Sequence, residues 1–416
     1  MDVGDATRRF GEPAMSERRF DLDAVRGLML VLMTLTHLPT RWSDPFGQPF
    51  GYVSAAEGFV MLSAYMAGMV YAGRGLKEGL PAMRRAFLLR ALKIYGCQAA
   101  LLLFLFSFIA AFGLTVKNPD VRYLISYYLH EPLTAFWSAL LLIHNPPLLD
   151  ILPLYIVFML ASPWVLAWGL SRGWGGVLAL STALWVLAQF DLGTWAYERL
   201  QDATGLPVPA KETGSFEMWG WQFLWVFGLY MGACAARGDP APRFPRGIVA
   251  VALAYALTTL VWRHVAGQIP TTDHAMLNTA FDKWHLAPLR LINFFALLVL
   301  AMRFGPALMA RLPRLRWLEV LGAASLPVFC THLVLVLLAL LAYGAPKPER
   351  PLAIDAAIVV ASFALLTVVA TISGRIDAYA AAFKARRAAR RSTGRPGRGR
   401  RGAPRSPSST THSPLR

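Results

Sequence analysis

Charge is scarce in this chain. Asp, Glu, Lys and Arg make up 16% of its 416 residues, with 24 acidic against 41 basic. A soluble globular domain carries about a quarter charged residues, so that class is excluded for the main body. Cysteine is scarcer still. Cys97, Cys234 and Cys330 are scattered, with no metal-ligand spacing and no pairing pattern. Neither a disulfide nor a metal site is expected, and the three read as small hydrophobes. No Walker phosphate loop occurs, so Gly-rich phosphate chemistry has no support.

What the chain has is apolar length. It is 56% hydrophobic, with a mean hydropathy of +0.45. About ten stretches are long enough to cross a bilayer: 24–40, 52–72, 94–115, 150–170, 174–191, 219–236, 247–266, 288–304, 317–342 and 352–374. Segment 122–145 carries Arg122, His130, Glu131 and Pro132, and reads as a surface or re-entrant helix. The fold class expected is all-α: a polytopic integral membrane protein of about ten transmembrane helices. Basic residues concentrate in alternate loops, among them Arg74, Lys77, Arg84, Arg85, Arg90 and Lys93. By the positive-inside rule this puts both termini in the cytoplasm.

The net charge of +17 does not imply nucleic-acid binding, because most of the excess lies in those loops and in the tail. Three parts follow: a polar cytoplasmic N-terminus over 1–20, a membrane domain over 21–376, and a basic tail over 377–416. The tail is rich in Arg, Gly, Pro and Ser without apolar periodicity, and is expected to be disordered near anionic lipid. Residues 1–20 lack a long apolar run, so the first helix is expected to act as the insertion signal.

The most informative pair lies in that first helix. Arg26 and His37 are eleven residues apart in an apolar run. Eleven steps rise about 16 Å and close to within about 20° of three turns. Both side chains therefore face one way at different depths, as polar groups lining a passage do. Glu57 enters the next helix from the end where His37 leaves the first. A carboxylate there would fix the imidazole tautomer and leave a general base for an alcohol. Arg26 has two readings: binding a donor's polar groups, or pairing with Asp23 on its own helix. His332 ranks second among the histidines. Asp150 suits the first turn of its helix. Tyr155, Trp221, Gln222, Arg290 and Asn293 are weaker candidates for an acceptor cleft.

The run DLDAVRGLMLVLMTLTHLP at Asp21–Pro39 resembles the first helix of membrane acyltransferases. FLLRALKIY at Phe87–Tyr95 resembles their basic element, with Lys93 where a second Arg is usual. AEGF at Ala56–Phe59, LDILPLY at Leu149–Tyr155, PLRLINFFAL at Pro288–Leu297 and ASLPVFCTHL at Ala324–Leu333 narrow the likeness to the OpgC family, succinyltransferases of osmoregulated periplasmic glucans. The resemblance covers roughly residues 19–375.

It implies an inner-membrane O-acyltransferase that takes acyl groups, succinyl first, from cytoplasmic acyl-CoA as co-substrate, with no tightly bound cofactor. The acceptor implied is a hydroxyl of a periplasmic glucan. His37, Glu57 and Arg26 become the catalytic candidates. Arg90, Lys93 and Arg85 become candidates for the CoA phosphates, although positive-inside anchoring alone accounts for their charge. Two rival readings stay open: another acyl group or a surface polysaccharide, and a proton-coupled transporter using the same buried groups. No repeat between the two halves favours the transporter.

Overall fold

The computed structural model describes residues 20–393, and no strand occurs among them. The principal helices are α1 (Phe20–His37), α2 (Ala55–Glu78), α3 (Leu80–Phe104), α4 (Ile151–Arg172), α5 (Gly175–Ala188), α6 (Leu192–Thr204), α7 (Met218–Arg237), α8 (Arg246–Ala266), α9 (Pro288–Arg311), α10 (Arg316–Ala323), α11 (Ser325–Tyr343) and α12 (Leu352–Thr393). A π turn at Leu105–Ile109 and a helix at Ala110–Thr115 prolong α3.

Seven described helices are long and apolar enough to cross a membrane, or eight if α5 and α6, bent by 79°, form one span. Two of the ten expected spans are helices outside that group. Helix α1 carries Asp21, Asp23 and Arg26, and α7 carries Gln222 among tryptophans, which lowers their apolar character. The span expected at 317–342 is two helices, α10 and α11, broken at Ala324. Pro327 accounts for the break, since it has no N–H to give the Ala323 carbonyl. Segment 122–145 is not one helix; it holds short helices at Pro119–Leu124, Ser126–His130 and Pro132–Leu140.

Within the described residues, one compact unit ends at Thr371 and a second begins at Ile372. Residue 376, the expected edge of the membrane domain, falls inside α12, and 377–393 of the expected disordered tail are helical. Alanines throughout that stretch favour a helix. Residues 1–19 and 394–416 lie outside the described set.

Glycines set two close helix pairs. A Cβ on Gly68 would meet the Leu229 carbonyl, and one on Gly228 the Met61 carbonyl. Helices α2 and α7 thus pack backbone to backbone, as small residues permit. On α1, Gly27 lies against the Leu318 carbonyl, and Gly322 of α10 against the Asp23 carbonyl. This second pair presents the polar face of α1 to the start of α11.

Candidate active site

Helices α1 and α11 share a stripe that is polar at both ends and apolar between. On α1 it is Arg26, Leu30, Met33 and His37. On α11 it is Ser325, Phe329 and His332. Both sets recur at helical spacing, so each lies on one face. The Arg26 Nη2 donates to Ser325 Oγ at 2.5 Å. At the far end, His37 Nδ1 lies 3.2 Å from His332 Nε2. Leu30, Met33 and Phe329 are buried between them.

Tautomers follow from this chain. His332 Nδ1 lies 2.6 Å from the Phe329 carbonyl oxygen. A carbonyl only accepts, so this nitrogen carries the proton. Neutral His332 then offers a lone pair at Nε2, which takes the Nδ1–H of His37. That leaves the lone pair of neutral His37 on Nε2, which is the form a general base requires. His332 is completely buried, and a carbonyl of its own helix fixes its tautomer.

A cavity of about 200 Å³ lies beside the Arg26 end, lined by Arg26, Arg90, Ser63, Tyr155, Phe59 and Phe329 among others. Its wall along α2 runs from Phe59 to Tyr71, about 18 Å of helix. Arg26 Nε is buried and has no hydrogen-bond partner among the described residues. Two guanidiniums on one cavity, one with a free donor, suit an anionic or strongly polar ligand. Lys93 and Arg85 are exposed and do not line this cavity, so the three basic candidates are not brought together.

Glu57 does not orient His37. The structure gives that place to His332. Glu57 is fully buried, and its Oε1 accepts from Arg290 Nη1 at 2.6 Å. Its Oε2 accepts from Ser54 N–H at 3.0 Å and from the Ser54 hydroxyl. This is a capping box that turns the carboxylate back over its own helix start. Arg290 also donates from Nε to the Phe281 carbonyl at 2.9 Å. It therefore clamps α2 to α9 through Nε and Nη1.

The other cleft candidates also have partners. Asn293 Oδ1 accepts from Tyr52 N–H at 2.9 Å, while its Nδ2 is buried with no partner among the described residues. Trp221 Nε1 donates to the carbonyls of Lys283 and Trp284. Gln222 bonds Ser181, and Asp150 accepts from Ser215 N–H. The Tyr155 hydroxyl donates to the Phe59 carbonyl at 3.0 Å, so Tyr155 braces the cavity wall.

Cys97 and Cys330, on α3 and α11, are free thiols. One group went unseen in the sequence. In the loop before α9, His285 lies between Asp282 (2.8 Å) and Asp191 (2.9 Å). The Asp282 hydrogen bond raises the His285 pKa above 6.5 against the opposing effect of burial. Beside it, the Lys283 ammonium stands 4.7 Å from the Trp284 ring centre and 5.6 Å from that of Phe216. Burial pulls its pKa below the usual range, partly offset by Glu57.

The profile of the OpgC protein family matches residues 18–378. The chain belongs to this family, which makes it a membrane protein of the acyltransferase type. No curated protein and no solved structure matches it.

Proposed function

We propose that the protein moves a short acyl group, succinyl first, from cytoplasmic acyl-CoA to hydroxyls of a periplasmic glucan, across a bacterial inner membrane. The observation that carries this reading is the hydrogen-bond chain from the Phe329 carbonyl through His332 to His37. Such a chain leaves His37 Nε2 as a base at one end of a stripe whose other end is the Arg26 cavity. A base at one depth and cationic groups at another suit a reaction with reactants entering from opposite sides.

With ten crossings, counting α1 and α7 among them, both termini lie in the cytoplasm and the basic loops on that side. The CoA phosphates then meet Arg90 at the inner mouth, and the acyl thioester reaches up past Arg26. His37 Nε2 takes the proton of the acceptor hydroxyl. The hydroxyl oxygen forms a bond to the acyl carbon, the carbon–sulfur bond breaks, and the thiolate leaves as CoA, taking up the proton that His37 releases as it returns to the neutral base. Arg26, about 16 Å of helix from His37, holds polar groups of the donor. The succinyl group and the glucan acceptor draw their support from the family alone.

The test is mass analysis of periplasmic oligosaccharides from cells with and without the gene. Loss of succinyl half-esters, each carrying one negative charge at neutral pH, is expected on deletion. Identical masses and anion-exchange profiles would remove the glucan from this reading.

A further inference from the structure

The cavity beside Arg26 has Phe59 and Phe329 in its lining but neither histidine. These two rings stack on each other, with centroids 5.8 Å apart and planes 17° from parallel. On α11, Phe329 stands between Ser325, which holds Arg26, and His332, which holds His37. Any acyl carbon that comes from the Arg26 side to His37 Nε2 must therefore lie against this pair.

Both rings are fixed from behind. Phe329 meets His332 edge-on, with centroids 4.8 Å apart, and its own carbonyl accepts the His332 Nδ1–H. Phe59 packs against the Tyr155 ring at 5.9 Å, and its carbonyl accepts the Tyr155 hydroxyl. Both phenylalanines are buried. Rings buried and packed in this way on two sides form a wall, not a swinging lid.

We propose that the stacked Phe59–Phe329 pair sets the length of acyl group that reaches the histidines. The inference rests on the acyl-transfer reading above and adds a determinant to it. A tight apolar wall discriminates by one methylene about 10–200-fold, so two phenyl rings at the end of the donor cavity penalise every carbon beyond the short chain they admit. Shortening either ring extends the cavity toward the histidines.

The experiment uses the full-length protein in detergent with succinyl-, acetyl-, butanoyl- and hexanoyl-CoA and an excess of glucan. The readout is the ratio of kcat/KM for hexanoyl to that for acetyl. It should rise at least tenfold from wild type to Phe329→Ala, with Phe329→Leu in between, and likewise for Phe59. General damage to the fold lowers all donors together and leaves the ratio flat. A flat ratio across both series, with transfer persisting, overturns the selector and spares the acyl-transfer reading. If an Ala variant fails to insert, the Leu variants decide by the same ratio. A wild-type protein that transfers none of the acyl groups, succinyl included, sinks that reading and the selector with it.

Discussion

The imidazoles of His37 and His332 stack 15° from parallel, 5.5 Å between centroids, with one nitrogen of each 3.2 Å apart. The pair is directional, because His332 is itself oriented by the Phe329 carbonyl. Replacing His37 by Ala should cut acyl transfer by about 10²–10⁴ at unchanged insertion. His332→Gln, whose amide oxygen accepts the same bond, should retain more kcat than His332→Leu. Equal kcat for the two variants would show that the second histidine only fills space.

Arg90 lines the cavity, whereas Lys93 and Arg85 do not. Arg90→Ala should raise the KM for the acyl-CoA donor by about ten- to a hundredfold, the loss of about 1.5–3 kcal/mol of charge-assisted contact. Lys93→Ala and Arg85→Ala should change it less than threefold. Steady-state kinetics with varied donor decides, and a larger effect at Lys93 than at Arg90 would move the phosphates to the exposed side of α3.

The Glu57–Arg290 pair is buried on both sides. Removing one partner of such a pair strands a charge and costs about 3–5 kcal/mol. Glu57→Gln should therefore lower the midpoint of thermal unfolding in detergent. It should also reduce activity through the loosened start of α2 rather than through the base. If its kcat–pH profile moved while its melting did not, Glu57 would belong to the chemistry after all.

The Asp191–His285–Asp282 group gives a pH dependence with a definite sign. Both ring nitrogens of His285 face carboxylates, which favours the imidazolium. Its raised pKa means the contribution is complete below the unfolded value near 6.5 and fades as pH rises through the folded value. Asp282 is pushed up by burial but held below its ordinary 3.8 overall by the His285 hydrogen bonds. Its own contribution is present above that ordinary value and fades as pH falls through the lowered one. Lys283, Arg290 and Glu217 also bear on this group. Wild-type melting should fall toward that of His285→Phe on the alkaline side. Parallel curves at all pH values would contradict the assignment.

Much of this was legible in the residues. Apolar runs reveal most helices, and helical periodicity alone turns Arg26 and His37 to one side. Partners were harder, because His37 and His332 are 295 residues apart and Glu57 and Arg290 are 233 apart. Those meetings depend on how closely helices approach, and Gly27, Gly322, Gly68 and Gly228 decide that through backbone contacts no local pattern reveals. Glu57 shows the difficulty best. Its place in the first turn of α2 is readable, but the capping box that turns it away depends on the rotamer. The break at Ala324 had a local cause in Pro327, masked by the apolar sequence on both sides.

The separation of His37 from His332 also has a meaning in time. A ribosome adds about 5–20 residues per second, so the 295 residues between them take about 15–60 s to make. Helix α1 emerges with Asp23, Arg26 and His37 before α11 does, and Ser325 and His332 follow only after that interval. During that interval one half of the stripe waits for the other. Every nascent chain that stops short of Ser325 holds its first histidine without a mate.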